Sequence, residues 1–206
     1  MNIKRMFLLS IIFLCFITGC SKIPKLSYSG EDILYACSND DVNLFRDELN
    51  VIIKKNQGFI YIDNNENRKE YTDGLLEFND ENKIDVKECY FISYNEMTGN
   101  KYKSKSSIAH RDPIEGSIRI SVSGNYSYKV VNSKVFIDNY TSKEILNNYI
   151  NSQINAIYIL NMNGKTFDDL SKEKQFDESK MTSLNLSASK YGIKITEVNI
   201  ETVEKK

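Results

Sequence analysis

The clearest regularity along the chain is a period of two between Ser117 and Val131. Ile118, Ile120 and Val122 alternate with Ser117, Arg119, Ser121 and Ser123, so the segment predicts a strand with one apolar and one wet face. Gly124-Asn125 interrupts the alternation, and "YSYKVV" resumes it with Tyr126 and Tyr128 on one side. A glycine inside such a pattern predicts a bulge or a hairpin bend. Upstream, "DELNVIIKKNQGFIYIDNN" predicts two strands, one around Val51 to Ile53 and one around Phe59 and Tyr61, meeting at a turn at Gln57-Gly58. "YTDGLLEF" predicts a glycine-centred turn and a short extended piece, and "DVKECYFISYNEM" a buried strand centred on Tyr90, Phe91 and Ile92.

After Val131 the period lengthens. "SKVFIDNY" suits a short helix. "TSKEILNNYINSQINAIYIL" predicts a long one, with Ile145, Leu146, Tyr149, Ile150, Gln153, Ile154, Ile157 and Tyr158 on one side. Thr141 with Glu144 forms the pattern of a capping box, and Asn163-Gly164 supplies the stop. A second helix is expected from about Asp177 to Lys190, carrying Met181, Leu184, Ala188 and Tyr191 at spacings of three or four and ending at Gly192. "IKITEVNIETV" then predicts a last strand whose apolar pairs, Ile193 with Ile195 and Val198 with Ile200, are separated by one slip, the mark of a bulge. Strands followed by helices and a closing strand make an α+β domain.

The first twenty residues follow other rules. Lys4 and Arg5 precede an apolar run from Met6 to Ile17, which is too short to cross a bilayer as a helix but has the length of a signal-peptide core. The run ends in "ITGC", which resembles the lipobox of bacterial lipoproteins. The reading is a signal peptide over residues 1–19, with Cys20 as the first mature residue and the site of lipid attachment. The competing reading is an uncleaved anchor with Cys20 as one more buried thiol. Two acyl chains, at about 0.8 kcal/mol per buried methylene, hold a protein on a membrane that it does not span. Residues 20–31, polar and containing Pro24, are expected to be the tether, and residues 32–206 the folded domain.

Charge and composition narrow the function. The formal net charge is −1, and the removed piece holds Lys4 and Arg5 but no acid, so the remainder is slightly more acidic. No basic stripe for nucleic acid results. A single histidine and no close cysteine pair make a metal site improbable, and no cofactor motif is present. Cys37 and Cys89 remain beyond Cys20. Outside the cytoplasm a disulfide between them is permitted, and a buried thiol is an equal alternative.

The one histidine lies in "HRDP", His110 to Pro113, and HRD is also the catalytic triplet of protein kinases. Kinase chemistry needs in addition a glycine-rich phosphate loop, a metal-binding aspartate motif and an asparagine shortly after the triplet. Here Pro113 and Gly116 follow instead, which places the triplet in a turn, with Asp112 accepting hydrogen bonds from nearby amides and His110 without an identifiable partner. Asp168-Asp169 is a candidate acid–base pair by residue type, but adjacent helix positions diverge, and a solvated helix start accounts for them.

"KECYFISYNEMTGNKYKSKSSIAHRDPIEGSIRISVSGNYSYKVVNSKVFI" resembles the bacterial branch of the SPFH superfamily (stomatin, prohibitin, flotillin; band 7) labelled virion-core-protein-like. The resemblance is carried by "CYF", "GNKY", "RDP" and "GNYSYKV". "ELNVIIKKNQGFIYIDN" looks like that branch's opening hairpin and "YGIKITEVNIETV" like its closing strand, so the resemblance runs from about Asp32 to the C-terminus. The tryptophans typical of the branch are absent. The resemblance implies an SPFH-type fold and a non-enzymatic scaffold that oligomerises and organises proteins or lipids at a membrane, with no catalytic residues. Relatives commonly face the cytoplasm and a lipobox exports its domain, so their cytosolic partners do not carry over. The expected function is therefore a lipid-anchored, extracytoplasmic scaffold. The alternative is a monomeric lipoprotein binding a small molecule or peptide, with an unrecognised hydrolase as a distant third.

Overall fold

The computed structural model describes residues 23–206. The signal peptide and the lipid-bearing Cys20 expected from the sequence lie outside the described residues. The architecture is the expected α+β one: strands first, helices next and a closing strand last.

Two 15-residue strands organise the molecule, β3 (Leu49–Asp63) and β8 (Gly116–Val130). In the first sheet β3 pairs along one edge with β4 (Arg68–Phe78). Its other edge is shared by β1 (Lys25–Ser27), parallel to Asn50–Ile52, and by β5 (Val86–Ser93), antiparallel to Gln57–Asp63. β2 (Leu34–Ala36) adds to the far side of β5. In the second sheet β8 pairs along one edge with β9 (Ile193–Lys205), and its other edge takes β6 (Met97–Lys103) and β7 (Ile108–Asp112). Between β8 and β9 come α2 (Ser133–Asn139), α3 (Lys143–Asn161), α4 (Phe167–Lys172) and α5 (Glu178–Ala188); a short α1 (Asn39–Asn43) lies between β2 and β3.

Alternation along the strands divides the core in two. From the first sheet, Phe59, Tyr61, Cys89 and Phe91 point to one side, where Phe45 and Phe78 close a small aromatic core. Ile60 and Ile92 point to the other side and join the main core, built from Ile120, Val122, Tyr126 and Tyr128 of β8 and Leu146, Ile150 and Ile154 of α3. Where β3 and β5 pair, the first sheet is thus buried on both faces, which is why "FIYI" and "CYFI" read as apolar runs rather than clean alternations, whereas β4 is largely exposed.

The turn expected at Gln57-Gly58 does not exist. β3 runs straight through it, and the irregularity is a bulge: Ile53 lies opposite Gly74, the next paired residue Gly58 lies opposite Thr72, and Asn56 takes a left-handed φ of 58°. Bulges and turns draw on the same residue types, so local sequence does not separate them. At Gly124 the bulge alternative is the observed one, since the β8–β9 register slips between Ser123 and Gly124. A Cβ at Gly124 would stand 1.9 Å from the Asn199 carbonyl oxygen and 2.9 Å from the Tyr102 ring, so no other residue fits. The slip expected in β9 also occurs, between Ile195 and Glu197. Asn185 of α5 clamps it by accepting from the Ile195 amide (2.7 Å) and donating to the Ile195 carbonyl (3.0 Å).

The helices match their periodicity, with two corrections. α3 is capped by Ser142, whose hydroxyl accepts from the Ile145 amide, and not by Thr141, one residue earlier. Ile145, assigned to the apolar face, is 48% exposed. The tether expected over residues 20–31 is interrupted by β1, where Leu26 is buried in the aromatic core.

Candidate functional site

The HRD triplet ends β7 instead of forming the turn. His110, Arg111 and Asp112 pair with Ile118, Ser117 and Gly116 of β8, and only Pro113, Ile114 and Glu115 make the reversal. Such a three-residue hairpin loop needs a left-handed residue at its exit, here Gly116 with φ 82°. Asp112 Oδ1 accepts from the amides of Ile114 (2.7 Å) and Glu115 (2.8 Å) inside this loop. Its Oδ2 accepts from the amide of Phe167 (2.5 Å), the first residue of α4. Together the Glu115, Ile114 and Phe167 amides hold the Asp112 carboxyl below the ordinary carboxylate range.

His110 is buried and does have a partner, contrary to expectation. Its Nε2 lies 2.8 Å from the Lys165 carbonyl; because a carbonyl only accepts, Nε2 carries the proton. Arg111 is exposed. Lys205, near the end of β9, pairs with Glu115 and sits 4.5 Å above the Phe167 ring. The corner is therefore a clasp: two side chains of β7 and one of β9 fix the β7–β8 hairpin to the connection between α3 and α4. His110 Nε2 and both Asp112 carboxylate oxygens are already occupied by backbone groups.

Sequence reading missed a second polar cluster. Lys180 on α5 is 5% exposed and bonds Glu173 (2.5 Å) and Asp177 (2.7 Å), while Lys165 reaches the other Glu173 oxygen at 2.8 Å. Burial opposes the Lys180 charge, but the Asp177 and Glu173 carboxylates outweigh it, and its pKa lies above the ordinary lysine value. A lysine so held stays protonated and is no nucleophile. The only local cue in the sequence is Asp177 three residues before Lys180, where the same aspartate caps α5. Asp169 likewise belongs to a capping box with Thr166 at the start of α4, as a solvated helix start requires.

Among the described residues no group of His, Cys, Asp and Glu is arranged to hold a metal ion, and no helix is long and apolar enough to cross a membrane. An open cleft of about 320 Å³ runs between the β6–β7 loop and α3, lined by Ser104, Lys105, Ile108, Asn155 and Ile159 among others. Ile159 and Leu160, late in α3, and Ile114, in the clasp loop, are exposed apolar residues.

A model of the SPFH domain–Band 7 family matches residues 77–205, more than half of the chain. The match takes in the end of β4, all of β5 to β9 and helices α2 to α5, including both polar clusters; residues 32–76 of the expected resemblance precede it. No curated protein matches the chain. Proteins of this family are in general membrane-associated, non-enzymatic scaffolds. The chain belongs to the SPFH domain–Band 7 family.

Proposed function

We propose that this protein is an exported, lipid-anchored SPFH scaffold that is tethered through Cys20, assembles with copies of itself and organises proteins or lipids at the outer side of the membrane. The observation that carries the reading is the conjunction of an SPFH domain with an upstream "KR", apolar run and "ITGC" in lipobox order. Among the described residues no helix is long and apolar enough to cross a membrane, and a diacylated cysteine is a sufficient means of holding the domain on one. Within the superfamily, "CYF", "GNKY", "RDP" and "GNYSYKV" favour the virion-core-protein-like branch. The scaffold reading also suits the use of His110, Asp112 and Lys180, which fix the hairpin and the helices to one another.

Assembly is tested by sizing the full-length chain in mild detergent by analytical ultracentrifugation, with and without prior crosslinking in intact membranes. A scaffold gives a multimer of defined size in both. A monomer in both would replace the scaffold by a lipoprotein that acts alone.

A further inference from the structure

The ladder between β2 and β5 continues one step beyond β2. Ala36 lies opposite Tyr90, and the next residue, Cys37, donates its amide to the Cys89 carbonyl at 2.8 Å. Directly opposed residues of this hydrogen-bonded kind have Cα atoms about 5.5 Å apart, at the centre of the range that disulfides span, and their side chains leave the sheet on the same face. The neighbouring Cys37 side chain, together with burial, raises the pKa of Cys89. Cys89 is 1% exposed among Phe91 and Tyr61, whereas Cys37 is half-buried and open to a reagent.

We propose that Cys37 and Cys89 form a disulfide that fastens the edge strand β2 to β5. The oxidant is another disulfide, from a protein or a small molecule. The Cys37 thiolate attacks one of its sulfurs, the oxidant's S–S bond breaks, and one thiolate leaves as a mixed disulfide forms. Cys89 gives up its proton and attacks the Cys37 sulfur; the mixed bond breaks and the second thiolate leaves. The cysteine pair has lost two electrons and two protons, and the oxidant's two sulfurs end as thiols. Entry through Cys37 follows from exposure, and burial of Cys89 then shields the finished bond from reductants on one side. The closed loop contains all of β3 and β4, so peeling of the domain from its N-terminal, membrane-side end stops at Cys37. Formation in the cell rests on the proposed export, because cytoplasmic thiols are kept reduced.

The test has two arms. Full-length chain in detergent is equilibrated with glutathione buffers of graded oxidising strength, quenched with acid, alkylated and mapped by mass spectrometry. A Cys37–Cys89 peptide pair is expected, with a melting temperature about 10 °C above that of the reduced chain, a difference absent in Cys37→Ser and in Cys89→Ala. Both thiols alkylated at every buffer composition would overturn the proposal. The second arm quenches the chain directly in cells. Linked peptides there uphold both the bond and the export; linked peptides only in the purified chain uphold the pair and overturn the export.

Discussion

Asp112 and Phe167, 55 positions apart, are joined by a hydrogen bond of 2.5 Å from the Phe167 amide to the Asp112 carboxylate. The bond ties the hairpin that ends β7 to the first turn of α4, and the same carboxylate holds the hairpin loop closed. One side chain thus sets both the local reversal and its position against the helices. Asp112→Ala leaves three amides without that acceptor and is expected to lower the melting temperature by about 5 °C, with Asp112→Asn falling between. The dependence on pH follows from the sign of the shift. A carboxyl held below its ordinary value stabilises the fold above that value, and the benefit is lost as pH falls through the lower folded pKa. Melting wild type and Asp112→Ala between about pH 7 and about pH 2 should show the gap closing only at the acid end. A constant gap would mean that the carboxylate's charge is irrelevant.

His110 tests the clasp from the same strand, two residues earlier. Its imidazole is buried, and its removal strips the Lys165 carbonyl of a donor and leaves a void, so His110→Ala is expected to cost about 1 to 3 kcal/mol. Urea denaturation measures it. Because Asp112 and His110 fasten neighbouring points of one connection, the double variant should lose less than the sum of the singles.

At the start of α3 the hydroxyls of Thr141 and Ser142 are adjacent, and only Ser142 accepts from the Ile145 amide. Ser142→Ala should cost about 0.5 to 2 kcal/mol while Thr141→Ala stays near wild type. The reverse order in thermal melts would shift the cap by one residue.

Ile154 is fully buried where α3 meets β8. Ile154→Ala is expected to cost about 2 to 5 kcal/mol, and Ile154→Asp more, since it places an unpaired charge in the main core. Ile145, nominally on the same face but 48% exposed, should tolerate aspartate with little change in melting temperature.

What the sequence disclosed, and what it hid, divide along the range of the interactions involved. The face of α3, the strand at Ile118 to Val122 and the slip between Ile195 and Val198 were legible because each is a periodicity of neighbouring residues. The bulge at Asn56 has the local sequence of a turn: its residues permit either, and only pairing with β4 on both sides of it decides. The partner of His110, the burial of Lys180 and the apposition of Cys37 with Cys89 depend on contacts spanning many residues, which leave no local pattern. β1 passed for tether because Leu26 is its single apolar residue, and its pairing with β3 is what holds it. The role of Asp112 as an amide acceptor is legible in the sequence, since two of its three donors lie within three residues.

The central claim, a scaffold domain held on the membrane by lipid at Cys20, is tested most directly by metabolic labelling with a fatty-acid analogue. Wild-type and Cys20→Ser chains would be expressed side by side in a bacterium that processes lipoproteins. Label is expected on the wild-type chain and none on Cys20→Ser, with an uncleaved precursor for the variant. Equal label on both chains, or no label on either, would contradict it.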